Sequence, residues 1–143
     1  MENFDLIIPE IFLSLSIFLT LLIGVFFKNS YNLVTNLTYL IIVSLLLIIF
    51  NSFNESGNLF SNSFITNSFI NFFKILILLG TLFVMLITQN FIKDTKINYF
   101  EYPLLILFSV LGMFFMISSN DLMSFYLGLE LQSLALYILA SID

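Results

Sequence analysis

One acidic side chain in this sequence lies in the middle of a long apolar segment. The segment is Ser118–Ser141, SSNDLMSFYLGLELQSLALYILAS, and the acid is Glu130. A carboxylate at the centre of a bilayer costs roughly 2.5 kcal/mol or more on insertion scales, so such an acid usually has a partner or a function. Low dielectric brings the neutral and charged forms of a carboxyl group closer in stability, as a proton relay near neutral pH requires. Glu130 is therefore a candidate proton relay, and the alternative is a structural acid hydrogen-bonded to another helix.

Polar side chains are predicted to share the helical face of Glu130. Tyr126 stands at i−4, Ser133 at i+3 and Tyr137 at i+7, so all three are possible supporting residues. Gly128 leaves room for a closely packed neighbouring helix. The sequence thus predicts a polar face on an otherwise apolar helix, with Glu130 at its centre.

Other charged residues stand near the ends of apolar segments. Lys74 either extends its ammonium group to the membrane surface, which its position favours, or pairs with an acid on another helix. It is the only cation considered as a partner of Glu130 within this chain. Glu10 is expected to be an interfacial, water-exposed acid. Asp121 is expected to cap the last helix, and the alternative is a water-facing proton port.

The composition places the chain in a membrane. Of its 143 residues, 60% are hydrophobic and 9% are charged, whereas roughly a quarter of the residues of a soluble domain are charged. It contains no His and no Cys, which excludes disulfides, thiolate catalysis, haem ligation through His and ordinary zinc sites within this chain. Its four basic residues are too few and too scattered for nucleic-acid binding.

The apolar segments predict an all-α integral membrane protein with a single membrane domain. Each segment is long enough to cross a hydrocarbon core of about 30 Å as a helix. The longest polar interval, residues 51–71, is too interrupted to span and is predicted to lie partly along the membrane interface. The predicted helices cover about residues 6–27, 33–50, 72–92, 99–117 and 121–142.

The lysines give a consistent orientation. Lys28 follows the first predicted helix, and Lys93 and Lys96 follow the third, so both loops fall on one side of a five-helix chain. The positive-inside rule puts that side in the matrix or the cytoplasm. Heavy use of Phe, Ile, Leu and Asn suggests an AT-rich genome, such as an organellar one.

Several motifs resemble one family of respiratory proteins. The most specific is Leu127–Leu134, LGLELQSL. Further matches occur in the same order along the chain as in the family, at Pro9–Phe12, Phe73–Gly80 and Tyr102–Leu105. Together they resemble subunit 2 of mitochondrial NADH dehydrogenase, the counterpart of bacterial subunit N of respiratory complex I. The resemblance covers nearly the whole chain.

The resemblance implies a fold and a role for Glu130. The fold is that of the antiporter-like complex I subunits, truncated, and Glu130 is the essential glutamate of the fifth helix, which pairs with a lysine on a later helix in proton translocation. The implied partners are other membrane-arm subunits of complex I and membrane lipid. The implied location is the mitochondrial inner membrane, and the bacterial plasma membrane is the alternative. NADH, FMN, iron–sulfur clusters and ubiquinone are expected in other subunits, with no cofactor in this chain.

The chain departs from the family because it stops soon after the fifth predicted helix. We expect a split subunit, in which a separate chain supplies the remaining helices and the cation partner of Glu130; a fragment of a longer product is the alternative. Two other functions stay open at this point. One is a structural or assembly membrane subunit without ion transport, and the other is a cation/proton antiporter subunit.

Overall fold

The structure is a computed structural model, and it describes residues 4–95 and 100–141, without the side chains of 93–95. The predicted charged loop Lys93–Lys96, the predicted start of the fourth helix at 99 and the predicted end of the fifth at 142 lie wholly or partly outside that range. The orientation inferred from Lys93 and Lys96 therefore stays a prediction.

Helices and one small hairpin make up the described residues. A 3₁₀ turn, Phe4–Ile7, leads into the first α-helix, and five of the helices are long and apolar enough to cross a membrane. The prediction of an all-α membrane protein with about five spanning helices is confirmed. In chain order the elements are α1 (Ile8–Phe26), α2 (Tyr31–Asn51), β1 (Gly57–Leu59), β2 (Phe64–Thr66), α3 (Ser68–Thr95), α4 (Glu101–Ser118) and α5 (Leu122–Ala140).

Helix α4 lies at the centre of the bundle. It contacts α1, α2, α3 and α5, and half of its membrane-spanning residues are buried, compared with 11% of those of α5. Leu107 and Phe114 of α4 are fully buried with Leu13 of α1, Ile42 of α2 and Leu78 of α3. Helix α5 packs mainly against α4 and is therefore an edge helix with a largely uncovered surface.

Eight hydroxyl side chains in the helices or at their ends satisfy their hydrogen bonds locally. Each donates to the carbonyl oxygen four residues earlier, at 2.7–3.0 Å, which removes the cost of an unpaired hydroxyl group in hydrocarbon. This bonding explains how polar residues are tolerated in the spans. The residues are Ser14, Ser16, Thr20, Thr35, Thr38, Ser44, Ser52 and Thr81.

A β-hairpin occupies part of the interval that was predicted to be an interfacial loop. Strands β1 and β2 are antiparallel, with Gly57 opposite Thr66 and Leu59 opposite Phe64. The following helix begins at Ser68, four residues before the predicted residue 72, because Asn67 accepts a hydrogen bond from the Ile70 amide at 2.9 Å and caps it. The prediction missed both strands and this first turn of α3.

The hairpin is fixed at one end of the bundle by contacts from both sides. Its Leu59 and Phe64 are buried together with Leu6 and Ile7, which precede α1. On the other side, the amide of Asn120 donates to the Ser63 carbonyl at 3.0 Å, and the Asn120 side chain donates to the Asn62 carbonyl at 2.8 Å. The hairpin therefore joins the start of α1 to the turn between α4 and α5.

Candidate functional site

Glu130 lies on the uncovered face of α5. It stands two positions after Gly128, which is buried against α4, so the two residues are about 200° apart around the helix. The carboxylate is exposed, and it forms no salt bridge with any described residue. The sequence suggested Lys74 as the one conceivable cation partner within the chain, and the structure contradicts that suggestion because Lys74 pairs with another acid.

The close crossing of α4 and α5 fixes this orientation. A Cβ atom on Gly112 would lie 2.7 Å from the amide nitrogen of Gln132, and one on Gly128 would lie 2.8 Å from the amide nitrogen of Met116. Only glycine permits backbones to approach this closely. Since Gly128 must face α4, Glu130 must face away from it.

The predicted supporting residues also lie on the uncovered side of α5. Tyr126 is 58% exposed, Tyr137 is 70% exposed and Ser133 is half-buried. None of the three side chains hydrogen-bonds to Glu130 among the described residues. They form a polar strip beside Glu130, and their supporting role stays a prediction.

Asp121 is the N-cap of α5. Its carboxylate accepts a hydrogen bond from the Ser124 amide at 2.7 Å. Hydrogen bonds from the Ser124 side chain and backbone hold the pKa of the Asp121 carboxyl below its ordinary value. The prediction of a helix cap is confirmed, and the cap explains this acid without a proton port.

A second charged site lies between α1 and α3. The Lys74 ammonium donates a hydrogen bond to Oε1 of Glu10, and each of the two side chains is 1% exposed. The expectation that Glu10 is a water-exposed acid is wrong, because the hairpin covers the start of α1 and removes this carboxylate from solvent. Lys74 does not extend to the surface, and the alternative reading, an ion pair with an acid on another helix, is the correct one.

Aromatic rings and an unpaired oxygen complete the surroundings of this ion pair. The Lys74 ammonium lies 5.4 Å from the ring centre of Phe64 and 5.6 Å from that of Phe114, within the range of cation–π attraction. Oε2 of Glu10 and Oγ of Ser118 are buried and form no hydrogen bond with any described residue. Lys74 thus has three electrostatic partners, whereas the Glu10 carboxylate has one cation and a free oxygen.

The sequence contained one signal for the Glu10–Lys74 pair. Glu10 and Lys74 stand near the starts of the first and third apolar helices. These two helices cross the membrane in the same direction, so both residues can lie at the same depth. That signal does not identify the pair, because nothing in the sequence shows that the hairpin covers both residues.

Curated relatives match the chain along nearly its whole length, although no family model matches it. NADH-quinone oxidoreductase subunit N of Pelagibacter ubique is 50% identical over 144 residues, which is 100% of this chain and 31% of the relative. The same subunit of Bartonella bacilliformis is 45% identical over 96% of this chain and 28% of the relative. For Rhizobium meliloti subunit N 1 the identity is 39%, over 99% of this chain and 29% of the relative.

The length and origin of these relatives bear on two expectations. The chain spans about 30% of the length of the relatives it matches, as the resemblance to a truncated subunit led us to expect. All three relatives are bacterial. They fit the plasma-membrane alternative, and the mitochondrial location stays a prediction.

A solved structure supports the same fold. A chain of respiratory complex I from Thermus thermophilus with bound aureothin superposes with a TM-score of 0.80 at 23% identity, over 94% of this chain and 29% of that one. The bundle of α1 to α5 is therefore the fold of a complex I membrane subunit. The chain is homologous to NADH-quinone oxidoreductase subunit N, over the N-terminal ~30% of that subunit.

Proposed function

We propose that this chain forms the N-terminal part of a proton-translocating, antiporter-like subunit in the membrane arm of NADH:quinone oxidoreductase. Glu130 is the proton relay of this part. The observation that carries the proposal is its position: an ionisable group within the LGLELQSL motif, facing outward from an edge helix whose other face is fixed against α4.

The missing partner of Glu130 follows from the same position. A carboxylate that its own chain leaves uncovered in a membrane needs a cation or water from elsewhere. We infer that a lysine on a following helix of the subunit meets Glu130 from outside this chain, whether that helix belongs to a longer product or to a second polypeptide. The polar strip of Tyr126, Ser133 and Tyr137 lies where such a helix would pack.

The proposal assigns the remaining chemistry to other subunits. NADH, FMN, iron–sulfur clusters and ubiquinone bind elsewhere in the complex, and electron transfer there drives protons through this subunit. Its partners are the neighbouring membrane-arm subunits and membrane lipid. The membrane is the bacterial plasma membrane or the mitochondrial inner membrane.

The test is a substitution that removes the ionisable group and otherwise changes the side chain little. Glu130→Gln keeps the size of the side chain and cannot ionise, so NADH-driven proton pumping in membrane vesicles, per assembled complex, should fall by roughly 10²-fold, as for other acid–base groups. Glu55→Gln, at an exposed acid in the loop before the hairpin, is the matched control and should pump normally. Unchanged rate and stoichiometry in Glu130→Gln would refute the relay.

A structural or assembly subunit without ion transport is the second candidate. The observation that favours it is the broad apolar surface of α5, where Leu122, Leu127 and Ile138 are all more than half exposed. If Glu130→Gln pumps normally while charged residues at these positions abolish assembly, the chain is an anchor rather than a relay.

A further inference from the structure

We propose that Glu10 and Lys74 form a second proton-exchanging site, in which Oε2 of Glu10 takes up and releases a proton. The site is separate from Glu130, which lies on the uncovered face of α5 and forms no salt bridge with Lys74. It does not rest on the proposed function, because proton exchange at Glu10 can be measured without pumping.

Oε2 of Glu10 is a buried oxygen without a hydrogen bond to any described residue. A buried polar atom without a hydrogen bond costs about 1–3 kcal/mol, and more when it is charged, so each such atom calls for an explanation. Glu10 uses Oε1 to accept from Lys74 and leaves Oε2 without a partner among the described residues. A proton on Oε2 neutralises the carboxylate at the oxygen that Lys74 does not contact.

The Lys74 ammonium has attractive neighbours besides Glu10. In a simple buried ion pair, protonating the carboxylate leaves the cation alone, which is strongly unfavourable. Here the faces of Phe64 and Phe114 lie 5.4 and 5.6 Å from the Lys74 nitrogen and attract it independently of Glu10. The pair can therefore change from net charge zero to +1 by binding one proton at Oε2, and return by releasing it, with no other bond formed or broken.

An open cleft lies next to the ion pair and is the nearest source of a proton. Phe64, which covers Lys74, also lines an open cleft of about 320 Å³ beneath the hairpin, together with Ser63, Ser119 and Ser124. The buried hydroxyl of Ser118, unpaired among the described residues, follows Phe114 by one helical turn. Phe64 therefore contacts the ion pair and also lines the cleft.

Other titratable groups surround the Glu10–Lys74 pair, but none of those described forms a salt bridge with it. Among the described residues, Lys74 is the only other residue whose side chain hydrogen-bonds to the Glu10 carboxylate. Among the side chains that the structure describes, the remaining titratable ones on the elements around the pair are Asp5 before α1, Tyr31 and Tyr39 on α2, Glu55 before the hairpin, and Glu101 and Tyr102 on α4.

The test is infrared difference spectroscopy of the full chain in lipid bilayers. The chain has nine acids, and a protonated carboxyl group gives a C=O stretching band that moves in D₂O. In the difference spectrum between acidic and alkaline pH, wild type should show one such band that belongs to Glu10. Glu10→Gln should lose this band, whereas Glu55→Gln and Glu130→Gln should keep it. In Lys74→Met the band should no longer change with pH.

Identical difference spectra for wild type and a folded Glu10→Gln variant would overturn the proposal, leaving the pair as a structural contact alone. If Glu10→Gln does not fold, Glu10→Asp keeps the carboxyl group with one methylene fewer. Its band should then move in frequency, and an unshifted spectrum would overturn the proposal in the same way.

Discussion

Replacing Gly128 with alanine tests whether the close crossing of α4 and α5 fixes the face on which Glu130 lies. The added Cβ would lie 2.8 Å from the amide nitrogen of Met116 and 2.9 Å from the carbonyl oxygen of Gly112. Both are backbone atoms, so no side-chain rotation relieves the overlap. The helices must separate by about 0.6 Å to restore an ordinary contact of 3.4 Å.

Gly80→Ala is the matched control for this substitution. Gly80 also lies inside a helix, but a Cβ there meets nothing within 4 Å, so the variant only gains the better helix propensity of alanine, about 1 kcal/mol. Gly128→Ala makes the same gain and adds an overpacking cost of roughly 1–3 kcal/mol. The free energy of unfolding should therefore differ by roughly 1–3 kcal/mol between the two variants.

Thermal unfolding of the purified chain in detergent, followed by circular dichroism, measures this difference. It should appear as a midpoint for Gly128→Ala about 3–10 °C below that of Gly80→Ala. Midpoints within about 1 °C of each other would show that the crossing tolerates a methyl group. In that case the outward orientation of Glu130 would need another cause.

Further predictions concern the caps, the ion pair and the hairpin. Because Ser124 holds the pKa of Asp121 below its ordinary value, the cap stabilises fully above the unfolded pKa of about 3.9 and is lost as pH falls through the folded value; Asp121→Asn should abolish this loss in thermal midpoints measured from neutral to acidic pH. Lys74→Met should lower the free energy of unfolding by about 3–5 kcal/mol in denaturant titrations, because it leaves the buried Glu10 carboxylate without its cation. Adding Glu10→Leu should restore most of that loss; a double variant no more stable than Lys74→Met would show that the charges themselves hold the helices together. Ser61, at φ 55°, should favour glycine over alanine by about 1 kcal/mol; equal midpoints for the two variants would contradict the strain.

The helices were predictable because each is an apolar run longer than the bilayer requires. The hairpin was not, because residues 57–66 show no clear alternation of polar and apolar side chains. Its strands have three residues each and are stabilised by tertiary contacts, such as the pairing of Phe64 with Ser119. Contacts of this kind leave no local signal in the sequence.

The candidate functional residues were likewise only partly predictable from the sequence. Glu130 and its helical face could be predicted from spacing alone, because a helix fixes which residues lie together. The Glu10–Lys74 pair could not, because its members stand 64 residues apart and their burial depends on the hairpin. A charged residue near a helix end has the same sequence signature whether it faces water or is covered by a later segment.

The link between Asn120 and the hairpin bears on the order in which the chain assembles. A ribosome delivers the N-terminal helices first, so α1, α2 and α3 can enter the membrane before α4 exists. The hairpin gains its hydrogen bonds from Asn120 only after 58 more residues have been made, and two such short strands are marginal without support. Glu10 and Lys74 thus have an interval in which water still reaches both and they can find each other. Completion of the turn before α5 then closes the end of the bundle over them.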